Sequence, residues 1–242
     1  MPAPVTLRYI DSRWADMLGC RIEHLQKPGL HITAHGPGLS NYDGVMALRR
    51  GPACIVSVPP ALMSQVFPRL SRFAPEEAFN RNVLGALLGD RVAAVIGPAY
   101  QGYADATDFR PADPLTARLL TYVHIPALHH LENACKPEEW AASGIDPQRP
   151  PLFGCFTFGS ELASAAMLEE RVEGILFVGV ITHPDYRGSG YGSAVVSFAT
   201  DHGLATGGIL HYQTLEANVH AVAIARKLGY QQYASTLAVR LR

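Results

Sequence analysis

Apolar and polar positions along this chain follow two periodicities, one typical of strands and one typical of helices. Both are clearer in the second half of the chain than in the first. After residue 114, strand patterns lie at 117–123, 152–158, 161–168, 174–181, 210–215 and 233–241, and helical patterns at 125–135, 137–140, 188–205 and 218–228. Gly159 and Ser160 predict a hairpin turn between two of these strands. The segment 174–181 is almost wholly apolar, which predicts a central strand covered on both faces.

The first half gives weaker signals. Strands are predicted at 54–58 and 91–97, and helices at 61–73 and from Pro75 to a stop at Gly89. Residues 1–50 suggest only a short helix at 12–18 and a glycine-rich loop at 35–44. The segment RPADP, residues 110–114, has no apolar periodicity and is typical of a linker. We therefore expect an α+β (mixed α/β) protein with segments 1–113 and 114–242.

Composition narrows the functional classes. Apolar residues make up 48% of the 242 residues and charged residues 17%, which excludes extensive disorder. Twenty basic and 21 acidic side chains give a net charge of -1, so we expect no nucleic-acid partner and no attraction to an anionic membrane. The longest apolar runs, such as ILFV at 175–178, are far shorter than the roughly 20 residues that span a bilayer.

The four cysteines are widely separated, with no C-x-x-C pair and no histidine at ligand spacing. This pattern predicts no metal site. Four cysteines are also too few for a disulfide scaffold of this length, and the first residues lack the basic and apolar stretches of a secretion signal. We expect a reducing, cytoplasmic environment.

The segment with the clearest chemistry is VGVITHPDYRGSGYGSAVVSFA, residues 178–199. A buried strand ends at His183, and RGSGYG at 187–192 opens a helix. Glycines allow close backbone approach, and the N-terminus of a helix attracts an anion, so this turn predicts an anion cradle. No G-K-[ST] follows and the G-x-G-x-x-G spacing is absent, which argues against Walker-type nucleotides and nicotinamide cofactors.

The R-x-x-G-x-G turn, preceded by V-x-V and H-P-x-Y, resembles the acyl-CoA-binding motif of the GNAT superfamily of N-acetyltransferases. The segment N-x-x-A-x-x-I-A-R-K-L-G-Y at 218–230 resembles that superfamily's next motif. The resemblance covers about residues 115–242 and implies the GNAT acyl-CoA N-acyltransferase fold, a central mixed sheet flanked by helices. The order of segments, with G-P-A-Y and D-F-R-P before the two motifs, is similar to that of a two-part subgroup of this superfamily. By that resemblance, residues 1–113 would be a degenerate GNAT-like unit.

The resemblance implies acetyl-CoA as co-substrate and assigns residues to it. The start of the helix and the Arg187 side chain would hold the pyrophosphate, backbone groups at 180–182 would pair with the pantetheine arm, and Asn218 would contact that arm or serve only as a helix N-cap. The residues so implied are Val180, Ile181, Thr182, Arg187, Gly188, Ser189, Gly190, Tyr191, Gly192, Ser193 and Asn218.

The resemblance also implies direct acetyl transfer to an amine in a ternary complex. Many members of the family use a tyrosine of the last helix as general acid, but here that position is Ala225. Glu173 and His183 are the replacement candidates for catalysis, because one begins the central strand and the other ends it beside the expected thioester. Each also has a structural interpretation, a solvated strand end for Glu173 and a turn residue for His183.

Other polar residues near the motif are expected to be structural. These are the cluster Tyr212, Glu216 and His220, for which exposed structural roles are expected, and the pair His129 and His130 on a helix face.

Two classes of function are consistent with these features. The first is an enzyme that acetylates a small-molecule amine; the second, favoured by Ala225, is an acyl-CoA-binding sensor without turnover. The N-terminal segment would pack on the catalytic sheet and line the acceptor pocket with Tyr100, Tyr103 and Phe109, unless these aromatics are core residues. The sequence is also compatible with a homodimer.

Overall fold

The computed structural model describes residues 3–149 and 151–242, and its centre is one mixed sheet of ten strands. The strands are β1 (Gly29–Ala34), β2 (Gly44–Arg50), β3 (Ala53–Val58), β4 (Val92–Ala104), β5 (Arg118–Leu119), β6 (Leu152–Phe156), β7 (Leu162–Val172), β8 (Ile175–Thr182), β9 (Ile209–Leu215) and β10 (Gln231–Leu241). The helices are α1 (Pro4–Leu18), α2 (Met63–Leu70), α3 (Pro75–Ala78), α4 (Arg81–Leu88), α5 (Ile125–Ala134), α6 (Pro137–Ser143), α7 (Tyr191–Ala205) and α8 (Val219–Lys227).

The spatial order of the strands is β1-β3-β2-β10-β4-β9-β8-β7-β6-β5. Two neighbouring pairs are parallel, β1 with β3 and β8 with β9, and the others are antiparallel. Helices cover both faces in the C-terminal half. Helices α7 and α8 enclose one apolar cluster with the sheet, and α5 and α6 enclose another on the opposite face. The architecture is the expected mixed α/β arrangement.

Strand β4 connects the two halves of the chain. Although it precedes residue 113, it lies between β9 and β10 and pairs antiparallel with both. The segment 110–114 is an irregular, largely exposed connection, as predicted, but the sheet continues across it. Tyr100 and Tyr103 of β4 are fully buried in apolar clusters, so they are core residues and do not line an acceptor pocket. Phe109 is half-buried in the connection.

Several predicted elements are confirmed and others are wrong for local reasons. The strand at 54–58, the helix at 125–135 and the hairpin around Gly159 are present. The strand predicted at 117–123 is reduced to β5, because Thr121 starts a 3-10 turn in which its N–H donates to the His124 imidazole. The helix predicted from Pro75 to Gly89 is split, because the Asn80 side chain accepts the N–H groups that open α4.

The first 50 residues contain more regular structure than the sequence predicts. Helix α1 has 15 residues instead of the short predicted segment, and strands β1 and β2 flank the predicted glycine-rich loop. Strand β4 extends beyond the predicted 91–97 to Ala104. These elements are stabilised by contacts with distant parts of the chain, which local periodicity does not report.

The Asp105 carboxylate, just after β4, ties this strand to the start of the described chain. It accepts hydrogen bonds from the N–H of Ala3 (2.8 Å) and from the N–H and hydroxyl of Thr107 (2.9 and 2.6 Å). Burial raises the pKa of Asp105, but these hydrogen bonds outweigh burial and lower the pKa to about 2. Because the folded-state pKa is depressed, this stabilisation is complete above the unfolded-state pKa and is lost as pH falls toward 2.

We therefore expect Asp105→Asn to lower the free energy of unfolding by about 2 kcal/mol at pH 7, with a difference that shrinks below about pH 4. Urea denaturation of both proteins between pH 2.5 and 7 measures it. A difference that stays constant over this range would contradict the assignment.

Candidate functional site

The central feature of the site is an opening between the parallel strands β8 and β9. The two strands pair from Ile175 with Ile209 to Val178 with Tyr212, and the pairing stops there. Beyond this point, residues 179–182 of β8 remain paired with β7, and residues 213–215 of β9 remain paired with β4. The strands therefore separate over the last four residues of β8, a length of about 13 Å at 3.3 Å per residue.

The backbone of β8 offers hydrogen-bonding groups to this opening. The His183 N–H donates to the Ala163 carbonyl of the β7 side (2.9 Å), and the Ile181 carbonyl faces the same side, where it accepts from the Ser164 hydroxyl (2.7 Å). Since successive residues of a strand point their backbone groups to alternate sides, Val180 and Thr182 face the opening. Of the three residues predicted to pair with a ligand, Ile181 is thus directed away.

The glycine turn lies at the mouth of the opening, between β8 and α7. Gly188 and Gly190 have φ values of +80° and +89°, and a Cβ placed on either would meet no atom within 4 Å. Their backbone conformation favours glycine, and the space beside them is open. Gly192 has a different role, because a Cβ there would lie 3.0 Å from Thr182 Oγ1. This close approach brings the start of α7 against the end of β8.

The N-terminus of α7 has no side-chain cap and no acidic residue in its first turn. The first N–H groups of a helix have no partner within the helix, so those of Tyr191, Gly192 and Ser193 remain available. In contrast, Asn218 caps α8, where its Oδ1 accepts from the Ala221 N–H (3.2 Å). The sequence left two roles open for Asn218, and the structure shows the capping role.

Arg187 is engaged within the protein. Its guanidinium donates to both carboxylate oxygens of Glu139 on α6 (3.1 and 2.9 Å), and its Nε donates to the Thr182 carbonyl (3.2 Å). This hydrogen bonding lowers the pKa of Glu139 and raises the pKa of Arg187. The side chain that the sequence predicts as a phosphate ligand therefore clamps the glycine turn to α6 and β8, and the open backbone N–H groups are the remaining anion donors.

His183 follows β8 and is oriented by its own turn. Its Nδ1 accepts the Asp185 N–H (3.2 Å), so the neutral ring carries its proton on Nε2. In this tautomer the free ring nitrogen is a donor, which does not match the general base expected from the sequence. The ring stacks at an angle on Tyr186 (5.1 Å between centroids), whose hydroxyl donates to Glu161. That hydrogen bond raises the pKa of Tyr186.

A cavity of about 400 Å³ adjoins the end of β8 on the α5 face. Its polar side chains come from three elements, and they are His130, Ser160, Glu161 and His183. His130 is exposed on α5, whereas His129, its neighbour on the helix, pairs with Glu132 (3.2 Å). The sequence treated the two histidines alike, and only the tertiary structure separates them.

Glu173 lies far from these groups. It occupies the exposed turn between β7 and β8, at the opposite end of β8 from the glycine turn, and its carbonyl accepts the Tyr9 hydroxyl of α1. The eight residues of β8 separate the two ends by about 26 Å. The structure therefore does not bring Glu173 and His183 together, and Glu173 has the role of a solvated strand end.

Two residues of the site were not singled out by the sequence: Glu139 holds Arg187, and Glu161 holds Tyr186. Ala225 of α8 is fully buried and lies in the same apolar cluster as Tyr212. Tyr212 itself is 1% exposed, whereas an exposed role was expected. No local signal identifies such pairs, because the partners are far apart in sequence.

A mixed sheet that opens between two parallel strands beside a glycine turn is the arrangement expected from the GNAT resemblance of the motifs. Residues 125–230, a little under half of the chain, match the model of the Acetyltransferase (GNAT) family. The GNAT resemblance of the motifs is thereby confirmed.

One solved structure, with a TM-score above 0.5, shares the fold, and two others are similar to part of the chain. An acetyltransferase from the GNAT family of Colwellia psychrerythraea is 19% identical, with a TM-score of 0.53 over 77% of this chain and 76% of that one. A GNAT-family protein from Novosphingobium aromaticivorans DSM 12444 is 24% identical, with a TM-score of 0.49 over 63% and 67% of the two chains. A GCN5-related N-acetyltransferase from Kribbella flavida is 16% identical, with a TM-score of 0.48 over 64% and 62%. No curated protein matches the chain.

No group of three or more His, Cys, Asp or Glu side chains in 3–149 and 151–242 is arranged to hold a metal ion. Within the same residues, no helix is both long and apolar enough to cross a membrane.

Proposed function

We propose that the protein is an N-acetyltransferase that moves the acetyl group of acetyl-CoA directly to the amine of a small molecule. The observation that carries this proposal is the opening of β8 from β9 beside an uncapped helix N-terminus. The opening supplies unpaired backbone groups for an extended arm, and the N-terminus supplies N–H donors for a pyrophosphate. The pyrophosphate and the pantetheine arm are adjoining parts of acetyl-CoA, and the helix N-terminus and the opening adjoin each other in this chain.

The residues of this chain would share the binding as follows. The N–H groups at 191–193 and the open space beside Gly188 and Gly190 would receive the pyrophosphate. The backbone of Val180 would pair with the pantetheine arm, as an added strand would. Arg187 would act indirectly, because its ion pair with Glu139 holds the glycine turn in position.

The backbone also supplies the electrophilic part of the chemistry. Attack of an amine on a thioester places negative charge on the carbonyl oxygen, and a fixed N–H donor at that oxygen lowers the barrier. The N–H groups of Val180 and Thr182 both face the opening, and the Val180 N–H, which lies nearer the closed end, would serve as this donor. An alkylamine is almost entirely protonated at neutral pH, so it must lose a proton before attack. The open mouth beside the turn gives that proton a route to water.

The cavity beside His183 is the proposed acceptor site. Glu161 would attract a cationic amine, and His130, Ser160 and the Nε2–H of His183 would hydrogen-bond its polar groups. Ala127, Leu131 and Leu162 form the apolar part of the lining. A volume of about 400 Å³ fits a small molecule, which favours an amine of that size over a protein substrate.

The proposal predicts that His130→Ala raises the KM for the acceptor amine about tenfold or more, because a hydrogen bond in the cavity is lost. The affinity for acetyl-CoA should remain unchanged, since His130 lies on the opposite face from α7 and α8. His129→Ala is the matched control, as it removes a neighbouring imidazole that does not line the cavity. Equal effects of the two substitutions on KM would contradict the acceptor site.

A second function has one observation in its favour. Ala225 provides no proton donor at the position of α8 where many members of the family have a tyrosine, which suits an acyl-CoA sensor that binds without turnover. The two functions differ in a single product, the acetylated amine. Mass spectrometry of a panel of small primary amines, incubated with the protein and acetyl-CoA, tests for it. The acetylated product supports the enzyme, and its absence with every amine supports the sensor.

A further inference from the structure

A second cavity, of about 440 Å³, lies in the N-terminal half of the chain, outside the site described above. It is a groove between α4 and the C-terminal end of α2 with the turn that follows. Its lining includes the side chains of Arg69, Arg72, Asn82, Phe73, Val83 and Leu87. Two of these side chains are cationic, and none of the lining residues that the structure describes is acidic. A mainly apolar lining with a few polar groups is typical of small-molecule sites of this volume.

The groove follows from the way in which α2 and α4 meet. The Arg69 guanidinium, at the end of α2, donates to the carbonyls of Leu87 and Ala86 at the end of α4 (2.9 and 3.4 Å). These hydrogen bonds join the two helices there. After α2 the chain turns toward α3, so Asn82 and Val83 in the first turn of α4 line the groove instead of packing under another helix.

The two arginines of the groove differ in how their charges are used. The Arg69 guanidinium is balanced by the carbonyl groups and the partial negative charge at the C-terminus of α4. The Arg72 guanidinium has no hydrogen bond, ion pair or aromatic ring as partner among residues 3–149 and 151–242. The groove therefore presents one uncompensated positive charge.

Beside this charge the groove has an apolar wall. The Phe73 ring, which follows Arg72 in the chain, is 36% exposed, and Val83 is half-buried. Leu87 is buried and belongs to the apolar cluster under α2 and α4. An exposed aromatic side chain at the border of a cavity offers contact area to the apolar part of a ligand.

We propose that this groove binds a small amphipathic carboxylate, a molecule with one carboxylate group and an apolar body. The planar guanidinium of Arg72 can donate two parallel hydrogen bonds to a carboxylate, and the Asn82 amide offers a further donor. The apolar body would lie on Phe73, Val83 and Leu87. One uncompensated cation balances one carboxylate, whereas a phosphate dianion would keep a net negative charge in a mainly apolar groove.

The binding of octanoate tests this proposal, with octan-1-ol as the neutral molecule of the same chain length. Isothermal titration of the full chain at pH 7 should give a dissociation constant for octanoate below about 1 mM. This constant should be at least about tenfold lower than that for octan-1-ol, because the alcohol lacks the charge-assisted hydrogen bonds. Arg72→Gln should raise the constant for octanoate about tenfold and leave that for octan-1-ol unchanged.

Arg13→Gln is the matched control for Arg72→Gln. Arg13 is an exposed arginine of α1. Helix α1 packs on the opposite face of the sheet from α2 and α4, since alternate residues of β3 belong to the two apolar clusters. This variant should bind octanoate as tightly as the parent chain does.

A second pair of variants changes the charge inside the groove. Ala86 is an exposed residue of α4 that lines it, so Ala86→Glu and Ala86→Gln add side chains of equal size that differ by one negative charge. Both residues are good helix formers, so α4 should remain intact. The glutamate should pair with Arg72 and repel octanoate, which raises the dissociation constant at least about tenfold above that of the glutamine variant.

Amide shifts in a proton–nitrogen correlation spectrum locate the bound octanoate. We expect changes at residues 69–73 and 82–87, and none at 178–193, the strand and turn of the proposed acetyl-CoA site. The proposal is overturned if octanoate binds no more tightly than octan-1-ol, if Arg72→Gln and Arg13→Gln have equal effects, or if the shifts lie elsewhere in the chain. None of these readouts involves acetyl-CoA, so a failure of the proposed function would leave them unchanged.

Discussion

Gly190→Asp should raise the dissociation constant for acetyl-CoA at least a hundredfold. Gly190 is the N-cap of α7, and a side chain there would enter the open space in front of the helix N-terminus. An aspartate would place a negative charge where the pyrophosphate is proposed to bind. Two like charges about 4 Å apart near a protein surface repel by about 4 kcal/mol, which corresponds to more than a hundredfold in affinity.

Backbone strain must be separated from this electrostatic effect, because Gly190 has a φ of +89°. Gly207 provides the matched control. It has a φ of +82°, a Cβ there would also meet no atom within 4 Å, and it follows the opposite end of α7. Gly207→Asp therefore carries similar strain without a nearby phosphate. Isothermal titration of both variants measures the difference, and an equal loss of affinity in the two would contradict the placement of the pyrophosphate.

Residues 114–242 expressed alone should not form a folded monomer. Without the first 113 residues the sheet loses β4, which pairs with β9 on one side and β10 on the other. The loss also uncovers the clusters that bury Tyr100 and Tyr103. Each large apolar side chain contributes about 1.5–3 kcal/mol on burial, so the two tyrosines together contribute about 3–6 kcal/mol, a loss comparable with the 5–15 kcal/mol that stabilises a typical domain. The main-chain hydrogen bonds of β9 and β10 to β4 are lost as well.

A split chain is the control for this truncation. The connection at 110–114 is largely exposed and irregular, so a break between residues 113 and 114 should be tolerated when both pieces are produced together. We expect the two pieces to copurify and to bind acetyl-CoA, whereas the C-terminal piece alone shows neither a sharp thermal transition nor binding. A cooperatively folded C-terminal piece would show that the two halves are independent, contrary to the shared sheet.

The sequence predicts the C-terminal half of the fold well because its signals are local. The apolar run that forms β8, the glycine turn and the capped start of α8 each lie within a few neighbouring residues. The insertion of β4 between β9 and β10 depends on pairings between strands more than a hundred residues apart, which no local pattern encodes. For the same reason the sequence suggests two separable units, while the structure has one sheet.

The candidate site also combines features that the local sequence predicts with features that depend on tertiary packing. The glycine turn is predictable because left-handed backbone requires glycine at Gly188 and Gly190. The engagement of Arg187 by Glu139 depends on how α6 packs on β8, so the sequence assigned that guanidinium to a phosphate. Tyr212 lies next to polar residues in the chain, and only the strand register places it in the core at the closed end of the opening.

The most direct measurement of the central claim is the rate of CoA thiol release at saturating acetyl-CoA, with and without an amine acceptor. The account predicts that release rises above the hydrolysis background only when the amine is present, that it saturates with amine concentration, and that Gly190→Asp abolishes it. Release that no small amine increases, from a protein that binds acetyl-CoA, would contradict acyl transfer as the function.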